Sequence, residues 1–185
     1  KQDITNGKEL PDAKLEIRDA DGNLVEGWTS TKTPHTVRGL ELEKAYTLTE
    51  TRAPDGYAEA ESIVFKLVQN GTEQVNEVYV KSDDDWVKLD DATVIIQDAP
   101  VLDIDKTDIA GNLLPGATLT IRDANDEVVD TWITDYKTHR VPISDQFIKL
   151  SGETKEYIYT LTEDAAPAGF EIAESVQFKV QQADE

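Results

Sequence analysis

The chain states nearly the same sentence twice, and that repetition limits what it can become. From Lys1 to Trp28 it reads KQDITNGKELPDAKLEIRDADGNLVEGW; from Lys106 to Trp132 it reads KTDIAGNLLPGATLTIRDANDEVVDTW. A second shared block follows in each half, YTLTETRAPDGYAEAESIVFKL at Tyr46–Leu67 and YTLTEDAAPAGFEIAESVQFKV at Tyr159–Val180. Two copies of one unit predict an array of similar small domains, an organisation suited to extending or displaying something. At 185 residues the chain has room for two domains of this kind. The boundary is expected at Ala99–Pro100, giving modules over 1–100 and 101–185, because proline cannot donate to a strand ladder and suits a joint.

The pattern inside each copy is that of short strands. Lys14–Ile17 and Thr118–Ile121 alternate polar and apolar residues, as half-buried strands do. Asp19–Asn23 (DADGN) reads as a hairpin turn before a strand at Leu24–Trp28. Tyr46–Glu50 and Tyr159–Glu163 alternate and end on glutamate, and Ala53–Tyr57 and Ala166–Phe170 are Pro/Gly turns. Ile63–Val68, Val75–Lys81, Thr93–Gln97, Val101–Asp105 and Val176–Val180 are expected as further strands. No long segment has helical periodicity. The expected fold is all-β, two tandem immunoglobulin-like β-sandwiches with six or seven short strands each.

The copies differ where they end and in one loop. Trp28 and Tyr46 are 18 positions apart and Trp132 and Tyr159 are 27, so the second copy carries a longer loop around Ser144–Glu156. The first copy has no counterpart of Val101–Asp105 before Lys1, and the second has none of Val75–Asp98 after its last shared block. The array is therefore expected to be cut within a module at both ends: a truncated first strand in one, a missing last strand in the other.

Charge and cysteine content narrow the function. With 18 Lys and Arg against 38 Asp and Glu, the net charge of −20 repels phosphate backbones and anionic lipid. Neither nucleic acid nor membrane is an expected partner. There is no cysteine, so neither disulfides nor thiolate metal sites are available. Small secreted domains usually need a brace, which makes another crosslink worth seeking.

Five further features have ordinary readings. Asp19–Asn23 starts like a calcium loop but lacks the remaining ligands, and its counterpart Asp123–Glu127 lacks the glycine, so both read as turns. Asp83–Asp85 reads as a solvated loop, and Val78–Lys81 as plain strand. His35 and His139 occupy matching positions, one per module, and are expected in structural loop roles. Trp28 and Trp132 also match and are expected to pack in or over the sandwich. No metal or cofactor is expected.

On K-x-D-x-x-G-K-E-L-x-x-A-x-L-E-I-R-D, the YTLTE-x-x-APDGY block and ATVIIQDA at Ala92–Ala99, the first copy closely resembles the CnaB-type modules of Gram-positive surface proteins, the collagen-adhesin B-repeat and SpaA-like pilin family. The second copy is similar up to its last shared block. The first is especially similar to the member of that family that has been split into a peptide-tagging pair. The resemblance implies a lysine on the first strand joined to an Asp or Asn on the last by an intramolecular isopeptide bond, assisted by a buried glutamate. The matching positions are Lys1, Glu50 and Asp98 in module one, and Lys106 and Glu163 in module two, whose acceptor is absent from the chain.

Elementary chemistry agrees with that assignment. A lysine in an apolar core loses hydration, which favours its neutral, nucleophilic amine. Two neighbouring carboxyls share a proton, and a protonated glutamate can polarise the acceptor carbonyl. The resemblance further implies a stalk or spacer of a cell-surface adhesin or pilin, extracellular and anchored to a cell wall, with neighbouring modules of the same protein as partners. The alternative is a ligand-binding adhesin module whose loops recognise host matrix protein or glycan. A strand supplied by another chain is a further expected way to complete module two. A glycosidase would need paired acids flanking an open cleft, which strand-borne buried acids do not provide. The only chemistry expected is one self-modification per module, not turnover.

Overall fold

The structure is a computed structural model that describes residues 1–69, 76–143 and 156–181. Of the long loop around Ser144–Glu156, residues 144–155 fall outside the described residues, as does Val75. The chain divides into two compact units, Lys1–Pro100 and Val101–Glu185. The described residues contain strands, turns and irregular segments and no helix, as the all-β reading required.

In the first unit the strands are β1 (Gln2–Asp3), β2 (Lys14–Asp19), β3 (Leu24–Thr29), β4 (Ala45–Arg52), β5 (Ile63–Gln69), β6 (Asn76–Ser82), β7 (Asp85–Lys88) and β8 (Gln97–Asp98). Six of them form one antiparallel sheet in the order β3-β2-β4-β5-β6-β7. β1 and β8 form a separate parallel pair, with Asp3 opposite Asp98. Alternation turns Leu15 and Ile17 of β2, Tyr46 and Leu48 of β4, Phe65 of β5 and Val78 of β6 onto one face. These side chains, with Ala13 and Ile96, are the buried core.

The second unit repeats the plan. Its strands are β9 (Val101–Ile104), β10 (Thr118–Arg122), β11 (Val128–Ile133), β12 (His139–Pro142), β13 (Glu156–Ala165) and β14 (Val176–Gln181). A four-stranded antiparallel sheet runs β11-β10-β13-β14, and β9 pairs antiparallel with β12. Ile121, Val141 and Tyr159 form its buried cluster, with Leu102, Ile104 and Phe178 packed against them.

Three local expectations need correcting. Asp85 is not loop: only Asp83 and Asp84 turn, with Asp83 at φ 51, and Asp85 opens the edge strand β7, opposite Ser82. The strand foreseen over Thr93–Gln97 is confined to Gln97–Asp98, because only there does β1 lie alongside to pair with it. His139 is not in a loop; it opens β12 opposite Ile104, whereas His35 does lie outside any strand. The turn at Asp19–Asn23 is as expected. Its Asp19 carboxylate accepts from the Asp21 and Asn23 amides at 3.0 and 2.8 Å, and Gly22 takes a φ of 83 that suits glycine.

Candidate functional site

Strand alternation places a carboxylate inside the first unit. Tyr46, Leu48 and Glu50 are successive inward positions of β4, so the face that buries two large side chains carries Glu50 with it. A register shift between Lys14 and Leu15 accompanies this. Lys14 pairs with Arg52 but Leu15 pairs with Glu50, so β4 bulges beside the glutamate. The second unit has the same irregularity at the same place, with Thr118 opposite Ala165 and Leu119 opposite Glu163. In both units the carboxylate is fixed by a backbone amide ten residues on. The Ala60 N–H donates to Glu50 Oε2 at 2.8 Å, and the Ala173 N–H donates to Glu163 Oε2 at 2.6 Å.

Two further groups converge on Glu50. The short parallel pairing of β1 with β8 brings Lys1 beside the last strand, with the Gln2 N–H donating to Ile96 O and the Ile4 N–H to Asp98 O at 3.0 and 2.9 Å. Lys1 Nζ donates to Asp98 Oδ1 and stands 3.0 Å from Glu50 Oε1. The three side chains are sealed from solvent: Lys1 is 1% exposed, Glu50 and Asp98 not at all. Burial, followed by a hydrogen bond with Glu50, raises the Asp98 carboxyl to about 7, against the opposing pull of the Lys1 ammonium. One cation thus faces two carboxyls, and the trio holds a proton that a solvated aspartate would have lost.

Neighbouring groups hold this arrangement. Asp3, buried next to Asp98 in the register, accepts from the Thr5 amide at 2.8 Å, the Thr5 hydroxyl at 2.6 Å and the Tyr57 hydroxyl at 2.9 Å. Burial first, then this bond to Asp3, pushes the Tyr57 hydroxyl up to about 12, so it stays a donor. The counterpart of Tyr57 in the second unit is Phe170, half exposed and without a hydroxyl.

In the second unit Lys106 Nζ donates to Glu163 Oε2 at 3.1 Å, and the lysine is 17% exposed. Glu163 Oε1 is buried with no hydrogen-bond partner among the described residues. The structure therefore brings together all three residues singled out in the first unit and both in the second.

Other paired features were not legible one copy at a time. Ser30 and Thr134 play one part: each hydroxyl donates to a carbonyl (Leu10 and Leu114, both 2.7 Å) and accepts from an amide (Ala13 at 2.9 Å, Ala117 at 3.0 Å). This latch ties the stretch after each lysine to the residue that follows β3 in the first unit and β11 in the second. Each histidine stacks on its tryptophan, Trp28–His35 at 4.4 Å and Trp132–His139 at 3.9 Å, and meets an acid, Glu26 at 2.7 Å or Asp130 at 2.8 Å. The signal for all of these was the recurrence of residue type at equal spacing, Ser30 and Thr134 lying two positions after Trp28 and Trp132.

The fold and this interior define the class: tandem all-β sandwich domains with a lysine in contact with a buried glutamate in each. A family model described as the SpaA prealbumin-like fold domain matches residues 1–82 and 101–185. The chain belongs to that family, twice over. Among solved structures, the Bacillus anthracis TIE protein is similar at 25% identity, with 97% of this chain and 30% of that chain covered and a TM-score of 0.31. The pilus adhesin SpaC from Lactobacillus rhamnosus GG is similar at 15% identity, covering 99% and 26%, TM-score 0.32. The pilus-presented adhesin Cpa is similar at 16% identity, covering 88% and 51%, TM-score 0.37. The chain thus spans between about a quarter and a half of these proteins. No curated protein matches it.

Proposed function

We propose that the first unit locks itself with an isopeptide bond between Lys1 and Asp98, assisted by Glu50, and that the chain is a stalk segment of a cell-surface adhesin or pilin. One observation carries this: a lysine amine in contact with one buried carboxyl and 3.0 Å from a second, in a site closed to water. The Lys1 ammonium passes a proton to Glu50, 3.0 Å away, and the neutral amine adds to Cγ of the protonated Asp98 carboxyl; the C–N bond forms, the Cγ–O bond breaks, and the oxygen leaves as water with its protons relayed through Glu50. A carboxyl that keeps its proton near neutrality is the right electrophile, since a carboxylate resists attack. Glu50, aimed by the Ala60 amide, is placed to donate to the carbonyl and relay the proton. Fixed proximity supplies what unactivated amide synthesis lacks, with effective molarities of roughly 10⁵ M or more.

Such a bond suits a protein without cysteine. It closes a loop of almost the whole unit and would load a covalent bond when the first and last strands are pulled. Lys106 and Glu163 repeat the lysine and glutamate of that device in the second unit. The location we propose is extracellular and attached to a cell wall, with neighbouring modules as partners; no helix among the described residues is long and apolar enough to cross a membrane. Intact-mass spectrometry tests the reading. The chain should weigh one water less than its sequence, and Glu50→Ala should restore the full mass. A full mass for the unaltered chain overturns the assignment.

A further inference from the structure

The turn that follows the glutamate strand has one shape in both units and two chemistries. In the first unit the Tyr57 N–H donates to Pro54 O at 3.2 Å and Gly56 takes a φ of 85. In the second the Phe170 N–H donates to Pro167 O at 3.1 Å and Gly169 takes a φ of 89. A positive φ at the third position of such a turn calls for glycine, and it delivers the next residue in the same way each time. From there each chain runs on to the amide that holds the glutamate, Ala60 on Glu50 and Ala173 on Glu163. Only Tyr57 brings a hydroxyl.

In the first unit this segment grips all three stretches of chain that carry the reacting groups. Its hold on β4 is the Ala60 amide. Its hold beside the acceptor is backbone: the Ala58 N–H donates to Ala99 O at 3.0 Å, one residue beyond Asp98, and Tyr57 bridges to Pro100. Its hold beside the lysine is the hydroxyl, which donates to Asp3 Oδ2 at 2.9 Å. Asp3 follows Lys1 by two positions, is buried, and stands opposite Asp98 in the register. The same oxygen accepts from the Asn6 side-chain amide at 3.2 Å, and Oδ1 accepts from the Thr5 amide and hydroxyl at 2.8 and 2.6 Å. The matching Asp108 turns Oδ1 onto its own loop, taking the Ala110 and Asn112 amides at 2.8 and 2.9 Å, and residue 170 offers it no hydroxyl.

We propose that Tyr57 is a positioning residue for the Lys1–Asp98 bond: through Asp3 it sets the placement of Lys1 against Asp98, and with it the rate at which the bond forms. This rests on the isopeptide reading and adds the group that decides how fast the unit closes. The hydroxyl works as a donor and not as an acid. Burial, then the bond to Asp3, pushes it up to about 12, so its proton stays in place while Lys1, Glu50 and Asp98 exchange theirs. Its leverage comes from the geometry of the step. Attack of an amine on a carboxyl carbon tolerates little error, and a misplacement of about 1 Å costs on the order of 100-fold. β1 and β8 are two residues each, so one side-chain bond is a large share of what fixes Lys1.

The test times the mass change in the full chain. Protein made by cell-free translation is quenched into acid denaturant at intervals, and intact mass gives the fraction that has lost water. Tryptophan emission follows the folded fraction in parallel. Tyr57→Phe, the residue of the sister unit, should slow the loss roughly tenfold or more with the folded fraction unchanged. Asp3→Ala should slow it too, and in that background Tyr57→Phe should add nothing, because both remove the same bond. Tyr79→Phe removes a hydroxyl that donates to Glu77 at 3.1 Å outside the site, and should leave the rate unchanged. Water loss in Tyr57→Phe at the rate of the unaltered chain overturns the proposal and leaves the isopeptide reading standing. A slower rate fully accounted for by a smaller folded fraction also overturns it, and makes the bond to Asp3 structural only. Additive effects of the two substitutions overturn the route through Asp3. An unaltered chain that never loses water overturns the isopeptide reading, and this proposal with it.

Discussion

At the scale of single residues, the electrostatics of Asp98 make a pH prediction that separates the charge from the bond. Its folded value lies above the ordinary carboxylate range, so the folded state holds the proton more tightly than the unfolded state. Stability from this source is fully present below the unfolded value and is lost as pH rises through the folded one. Lys1→Leu removes both the nucleophile and the cation that opposes protonation, which moves the carboxyl further up. That variant should keep its full mass and lose thermal stability steadily between about pH 5 and pH 8, followed by the melting temperature. The proposed bond consumes Asp98, and a chain that has formed it should show no such slope. A second prediction concerns Ser30, whose hydroxyl bridges Leu10 O and the Ala13 amide in a buried site. Ser30→Ala leaves both groups without that partner and should cost about 1–3 kcal/mol by denaturant titration of the first unit, whereas Ser30→Thr, the residue of the second unit at Thr134, should be tolerated.

At the scale of elements, the long strands were readable because a period of two is imposed by one buried face. Lys14–Ile17 and Tyr46–Glu50 announced themselves by alternation and lie within Lys14–Asp19 and Ala45–Arg52, and the structure buries Glu50 because it continues the series of Tyr46 and Leu48. β7 and β12 were not readable. Asp85–Lys88 and His139–Pro142 are four residues each, and one of them carries a proline at its end; what makes them strands is a neighbour to pair with. The bulge beside each glutamate was equally silent, because register is a relation between two strands and no single sequence segment records it. Asp12 at φ 73 stands where the second unit has Gly116 at φ 88, so the left-handed turn before β2 is a demand of the fold that aspartate also meets. Leu15 sits 2% exposed on β2, opposite Glu50. Leu15→Ala should cost about 2–5 kcal/mol of the first unit's stability and should slow the Lys1 mass change, because the cavity it leaves borders the reacting side chains.

At the scale of the whole molecule, two compact units with separate cores predict two unfolding events. Asp98→Ala should lower only the first unit's transition. By analogy with a disulfide closing a loop of about 100 residues, the loss is on the order of 4–5 kcal/mol, reported by calorimetry of the variant beside the unaltered chain. The net charge of −20 adds a general term, since like charges on a small protein repel and salt screens them.

The sequence by itself determined the repeat, the all-β class and the alternation that ends on Glu50 and Glu163, each from local period or from recurrence between the copies. The burial of those glutamates and their pairing with Lys1 and Lys106 were expectations of the family resemblance. The tertiary structure decided what depends on distant segments meeting. It brought Asp98 within reach of Lys1 across 97 positions, aimed each glutamate with an amide ten residues on, and hid the trio from water. Proximity of this kind is set by sheet register and packing, which no stretch of sequence carries alone.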